Sequence, residues 1–147
     1  MKQASKNLKE TEQIARNFLE KILQVKKSHK GALVVGLVGD LGAGKTAFTQ
    51  AIAKYLGIKS KLSSPTFVIM KKYPLKNKKY DFLFHLDAYR LKNEKELLYL
   101  GWEEIINDGE NIVFIEWPEN VSKVMPKHAK YIHISDQKDG QKSFHFK

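Results

Sequence analysis

An apolar run, a glycine-punctuated turn and an amphipathic stretch follow one another between residues 32 and 57, and this order constrains the chain more than any other feature. Ala32-Leu33-Val34-Val35-Gly36-Leu37-Val38 is continuously apolar, as a strand buried on both faces requires. Gly39-Asp40-Leu41-Gly42-Ala43-Gly44-Lys45-Thr46 then fits G-x-x-x-x-G-K-[ST], the phosphate-binding loop pattern. From Ala47 to Leu56, Phe48, Ile52 (or Ala51), Tyr55 and Leu56 recur at helical spacing, and Gly57 stands where helix C-termini favour glycine. Strand, loop and helix in this order place an anion at a helix N-terminus.

The spacing has a mechanical meaning. Gly39, Gly42 and Gly44 open backbone conformations closed to residues with a Cβ, so that successive N–H groups can turn toward an anion. Asp40, Leu41, Gly42, Ala43, Gly44, Lys45 and Thr46 are therefore the expected nucleotide contacts. Lys45 would carry charge to the β- and γ-phosphates, and the Thr46 hydroxyl would ligate Mg²⁺. Hydrolysis also needs a carboxylate at the end of a buried strand. Asp87 follows Phe82-Leu83-Phe84-His85-Leu86, and Glu116 follows Ile112-Val113-Phe114-Ile115. Both are read as catalytic and metal-binding. Asp87 is assigned to Mg²⁺ or its water ligands, and Glu116 to polarising the attacking water. Thr66 sits where a switch threonine could reach Mg²⁺ or the γ-phosphate, and an ordinary strand-start threonine would look the same. Trp117 could stack on the base or ribose, or plug the core beside the site. Neither N-K-x-D nor D-x-x-G occurs where a guanine-specific switch needs them, so ATP is favoured over GTP.

Composition narrows the class. At 147 residues, with 42% apolar and 29% charged residues, the chain is expected to form one globular domain spanning 1–147. The absence of cysteine excludes disulfides, thiolate metal sites and cysteine nucleophiles. The longest apolar runs fall far short of the ~20 residues that span a bilayer, and Met1 to Lys6 lead into no signal-peptide core. A cytoplasmic protein without membrane contact is expected. The net charge of +10 favours polyanions such as tRNA. Lysines spread along the chain, with Arg16 and Arg90 the only arginines, fit a solvated lysine-rich surface better.

Elsewhere, residues 7–27 read as an amphipathic helix with Leu8, Thr11, Ala15, Phe18, Leu19, Ile22 and Val25 on one face. Residues 66–73 and 80–86 read as a hairpin whose tip gathers Lys71, Lys72, Lys76, Lys78 and Lys79. Asn93 is an expected N-cap for a helix through Leu97, Leu98 and Leu100. Asn111 to Ile115 is a further buried strand, a short helix should cover 119–124, and residues 131–134 and 143–146 form a terminal hairpin. His133 and His145 could face the same side of it, and two neutral strand histidines are favoured over a metal site. Together these elements predict an α/β P-loop fold, a mixed parallel and antiparallel sheet flanked by helices.

The motif series Gly39 to Thr46, Ser64-Pro65-Thr66-Phe67, Leu86-Asp87-Ala88-Tyr89-Arg90-Leu91 and Glu116-Trp117-Pro118-Glu119 resembles the TsaE (YjeE) family. These are small bacterial ATPases of tRNA threonylcarbamoyladenosine biosynthesis. The segment Glu96-Leu97-Leu98-Tyr99-Leu100-Gly101 resembles the family as well. The resemblance implies binding of ATP and Mg²⁺, weak hydrolysis alone, and stronger hydrolysis with the partner proteins TsaB and TsaD. It connects the chain to tRNA indirectly, through turnover of the TsaB–TsaD complex. By motif it gives Lys45 and Thr46 to phosphate and Mg²⁺, Thr66 to the switch, Asp87 and Glu116 to catalysis, and Trp117 to the nucleotide's neighbourhood. The family usually has a hydroxyl residue where this chain has Ala47, which implies loss of a side-chain contact to the α-phosphate while the Ala47 backbone N–H remains as a nucleotide contact. A small P-loop kinase and a nucleotide-gated binding module are the alternatives. Two arginines supply little of the lid a kinase needs.

Overall fold

The apolar run at 33–38 becomes a strand near the middle of one seven-stranded sheet in the computed structural model, which describes residues 1–24, 30–40, 42–59, 69–76 and 79–147. Its strands are β1 (Lys2–Ser5), β2 (Leu33–Val38), β3 (Met70–Pro74), β4 (Phe82–Asp87), β5 (Asn111–Glu116), β6 (Lys130–Asp136) and β7 (Lys142–Phe146). Their spatial order is β1-β7-β6-β2-β5-β4-β3. The inner four, β6, β2, β5 and β4, run parallel, while β3 and the β7–β1 pair are antiparallel additions at the two edges. The sheet is mixed, as the sequence predicts.

Alternation along the strands divides the core into two layers. Leu33, Val35 and Leu37 of β2, Leu83 of β4, and Ile112 and Phe114 of β5 pack with helices α1 (Leu8–Gln24) and α2 (Lys45–Tyr55). Val34, Phe84, Leu86, Val113 and Ile115 pack with α3 (Glu94–Leu98), α4 (Trp102–Asn107) and the 3-10 segment Pro118–Val124. Trp102 is fully buried in this second layer, and its indole N–H donates to the Val124 carbonyl at 2.9 Å. Asn93 caps α3 by accepting from the Lys95 N–H.

Several expectations need correction. Leu8, placed on the apolar face of the first helix, is 60% exposed, because it lies at the first turn beyond the reach of the sheet. Tyr55 is 40% exposed, and its hydroxyl bonds Glu20 while Arg16 lies over its ring. Leu98 and Leu100 are exposed, since α3 ends at Leu98 and buries Leu97 alone. Asp87 closes β4 from inside the ladder, paired with Glu116, so this strand spans 82–87 instead of 80–86. The strand β1 was not legible at all, as its sequence is polar and its pairing with β7 is a matter of backbone. The basic hairpin is partly absorbed by the fold: Lys72 lies 4.0 Å above the Phe82 ring and Lys79 donates to the Leu23 carbonyl at 2.7 Å. Residues 25–29, 66–68 and Lys78 lie outside the described residues. Among the described residues, no helix is long and apolar enough to cross a membrane.

His133 and His145 stand directly opposite each other on β6 and β7, with ring centroids 6.5 Å apart. Burial and nearby positive charge, Lys147 at both rings and Lys2 and the N-terminus at His145, hold both imidazoles below their ordinary value. The unfolded chain therefore takes up these protons first as pH falls. Their contribution is at its most favourable above the ordinary histidine value of about 6.5 and declines below it. Melting temperature should drop from about pH 7.5 to about pH 5.5. The His133→Gln/His145→Gln double variant should flatten that slope; an unchanged slope would show that the pair has no part in it.

Candidate nucleotide site

Parity along three neighbouring strands decides which side chains meet. Leu83, His85 and Asp87 of β4, and Ile112, Phe114 and Glu116 of β5, point to the α2 side of the sheet. The ladder pairs Asp87 with Glu116, and Glu116 with Leu37 of β2, just before the glycine loop. Both acids thus arrive at the carboxyl ends of parallel strands, beside the N-terminus of α2. Ligands of open parallel sheets bind at that edge.

The loop itself uses its glycines in two ways. Gly42 and Gly44 take positive φ, 80° and 109°, where a Cβ is disfavoured. Gly44 is the residue from which α2 starts. Gly39 instead permits a close approach: an added Cβ would stand 2.4 Å from the Ile134 carbonyl of β6. The Ala43 methyl is buried and its N–H donates to Asp40 O at 3.0 Å. From β7, the Lys142 ammonium donates to Gly42 O at 3.1 Å and pairs with Asp136, fastening the terminal hairpin to the loop.

Lys45 is only 5% exposed. Its ammonium donates to the carbonyls of Gly39 and Asp40, and lies 4.2 Å from the centroid of the Trp117 ring. Burial lowers its proton affinity, opposed by Glu116, Asp87, Glu119 and Asp40. Glu116 is 4% exposed, and its Oε2 accepts from Thr46 Oγ1 at 3.4 Å and faces His85 Nε2 at 2.7 Å. Asp87 is half-buried, and its Oδ1 accepts from the Tyr89 N–H at 2.9 Å. Burial, reinforced by the neighbouring Glu116, raises the proton affinity of Asp87 against the pull of the Tyr89 amide, His85 and Lys45.

Gly42, Gly44, Lys45, Thr46, Ala47, Asp87, Glu116 and Trp117 line one cleft of about 440 Å³, together with Tyr89 and Arg90. Eight residues singled out from the sequence are thus brought together. Leu41 and Thr66 lie outside the described residues, and Asp40 joins the site through its carbonyl. A second hollow of about 190 Å³ lies across Gly44 and Ala47, between the start of α1 and the terminal hairpin. A larger one, about 580 Å³ between α1 and α2, holds no carboxylate–lysine–hydroxyl combination of this kind, so size alone is a poor guide. His85, Tyr89 and Arg90 were given no role by sequence reasoning. Period-two alternation could have found His85, since it sits two residues before Asp87 on the same face.

The oxygen set suits a hard cation. Mg²⁺ favours one or two carboxylates, keeps several waters and is completed by phosphate oxygens. Thr46, Asp87 and Glu116 fit that pattern. Among the described residues no three carboxylate or imidazole groups form a metal cage on their own.

Residues 5–144 match the family described as "Threonylcarbamoyl adenosine biosynthesis protein TsaE". The chain belongs to the TsaE family. It is 37% identical over 113 residues to the tRNA threonylcarbamoyladenosine biosynthesis protein TsaE of Bacillus subtilis, covering 77% of this chain and 68% of that protein. The Borreliella burgdorferi TsaE is 37% identical over 112 residues, 74% and 79% of the two chains. The Haemophilus influenzae TsaE is 32% identical over 110 residues, 75% and 67% of the two. The crystal structure of Bacillus subtilis YdiB superposes with a TM-score of 0.73 at 30% identity, covering 99% of this chain and 83% of that one. The α/β P-loop fold and the family role in tRNA threonylcarbamoyladenosine biosynthesis follow.

In this TsaE-family chain, the loop's shape depends on β6 as well as on its own glycines. Gly39→Ala should cost about 1–3 kcal/mol in denaturant unfolding, from the clash with the Ile134 carbonyl. Gly42→Ala meets nothing within 4 Å and should cost only the strain of its positive φ, about 1–2 kcal/mol. A Gly39→Ala protein as stable as the parent would mean that β6 does not press on the loop.

Proposed function

We propose that this chain binds ATP with Mg²⁺ at the 440 Å³ cleft and hydrolyses it. We further propose that turnover serves a TsaB–TsaD complex acting on tRNA, in the cytoplasm. The observation that carries the reading is the meeting of Thr46, Glu116 and Asp87 at the mouth of the glycine loop, with Glu116 Oε2 3.4 Å from Thr46 Oγ1. Bound Mg²⁺ would neutralise charge building on the β- and γ-phosphates.

The protein's own groups divide the remaining work. Gly42, Gly44, Lys45, Thr46 and Ala47 would hold the phosphates, with backbone N–H groups and the positive end of α2. Ala47 offers its amide and no hydroxyl. Lys45 must leave the carbonyls of Gly39 and Asp40 to reach a phosphate. Burial, which depresses its proton affinity in the free protein, makes a phosphate anion a strong partner. Thr46, Asp87 and Glu116 would hold the metal and its waters. Asp87, whose Oδ1 already accepts from the Tyr89 N–H, would accept hydrogen bonds from waters on the metal. Glu116 would polarise the attacking water from its fixed position. Trp117, with Tyr89 against it at 4.9 Å, lines the cleft.

Asp87→Ala and Glu116→Ala should each leave ATP binding in EDTA measurable while lowering turnover about 10²-fold or more. Lys45→Ala should weaken binding itself by about 10- to 100-fold. Unchanged turnover in both acid variants would sink the assignment. Phosphate release measured with and without purified TsaB and TsaD decides the setting. Stimulation supports the reading, phosphate transfer to a small acceptor would make the chain a kinase, and binding without turnover a nucleotide-gated module.

A further inference from the structure

His85 is fully buried on β4, in register with Phe114 of β5 and two residues before Asp87. Its surroundings on this face are the apolar layer beneath α1 and α2, where an imidazole is costly. Among the described residues the ring makes one polar contact, Nε2 to Glu116 Oε2 at 2.7 Å, and Nδ1 has no partner. Those two facts select the tautomer that carries hydrogen on Nε2. It donates to the carboxylate and leaves only a lone pair on Nδ1 to be desolvated. A leucine of similar volume would remove the orphaned nitrogen and pack better. The imidazole therefore makes sense through what it does to Glu116.

Glu116 has a flexible side chain, yet its Oε2 carries both contacts, from His85 on one side and Thr46 Oγ1 on the other. Thr46 lies at the exposed mouth of the loop and reaches Glu116 at a long 3.4 Å, which fixes little alone. The short, buried contact is the one that can choose a rotamer. We propose that His85 is a positioning residue for Glu116: its Nε2–H holds the carboxylate beside Thr46, so that the acid is set before any ligand arrives. The inference rests on the reading of Thr46 and Glu116 as metal and water ligands. It adds that Glu116 works only when this hidden donor orients it.

Two variants separate orientation from packing. His85→Leu removes the donor and keeps most of the volume, whereas His85→Gln keeps an N–H donor near the position of Nε2. Crystal structures of the ligand-free parent and both variants give a readout independent of activity. Glu116 should leave Thr46 or become disordered in His85→Leu and stay in place in His85→Gln. In solution, His85→Leu should bind ATP in EDTA within about twofold of the parent, lose most of the gain in affinity that Mg²⁺ brings, and lose at least tenfold in kcat. His85→Gln should recover kcat to within a few-fold. Adding His85→Leu to Glu116→Ala should produce little further loss, because the two act as one unit. A Glu116 carboxylate that stays beside Thr46 in His85→Leu overturns the proposal, whatever the turnover. So does a kcat loss that Gln fails to rescue and that follows melting temperature alone. A parent protein that neither gains affinity from Mg²⁺ nor hydrolyses ATP would instead defeat the ATPase reading, leaving the crystallographic comparison to judge His85.

Discussion

Glu116 is a carboxylate at the end of the most buried strand of the sheet, and the site depends on how its charge is accommodated. An isolated buried carboxylate is costly unless hydrogen-bonded. Here the partners come from two other elements, His85 of β4 and Thr46 of α2. The same contacts that make the charge tolerable tie the phosphate loop to the two acid-bearing strands. This edge of the sheet is polar at its core end because three parallel strands finish at one height. A one-residue slip of β4 against β5 would turn Asp87 and His85 to the other face together.

That dependence explains which parts of the fold were legible. The loop, the strand before it and the helix after it announce themselves through glycine spacing and hydrophobic period, and they lie where the sequence puts them. Asp87 and Glu116 were legible as acids closing apolar runs, because a buried parallel strand tolerates a charge only at its end. Their adjacency was not legible, since it follows from the strand order β2-β5-β4. His85 was hidden for a simple reason. Inside an apolar strand it reads as an irregularity, and only the register against Glu116 gives it a partner. The edge strand β1 was invisible because antiparallel addition to β7 asks for backbone groups and little hydrophobicity. Leu8 and Tyr55 show the converse error: apolar spacing continues along a helix past the point where the sheet can cover it.

The glycine loop is held from more sides than its pattern suggests. Gly39 lies against the Ile134 carbonyl, and Lys142 binds the Gly42 carbonyl from the terminal hairpin. Both contacts come from the β6–β7 unit, which joins β2 through the parallel ladder with β6. The hairpin that looks like a terminal appendage in sequence is therefore part of the loop's scaffold. Close approach, and not an unusual φ, is what requires glycine at position 39.

Trp117 shows how the remaining wall of the cleft is balanced. Among the described residues it is the one non-glycine with positive φ, at 60°. A left-handed conformation costs a residue with a Cβ roughly 1–2 kcal/mol. The chain accepts it because β5 must end at Glu116 and turn at once into Pro118 of the 3-10 segment, while the Trp117 N–H still reaches the Leu37 carbonyl at 3.2 Å. The ring then gains the Lys45 ammonium at 4.2 Å and Tyr89 at 4.9 Å. Contacts of these kinds contribute about 0.5–2 kcal/mol each, comparable with the strain they offset. If Lys45 extends toward a phosphate, one of the two is removed and the strain is left less fully compensated. The backbone between Glu116 and Pro118 is thus coupled to the position of the lysine, through one ring rather than through any hinge.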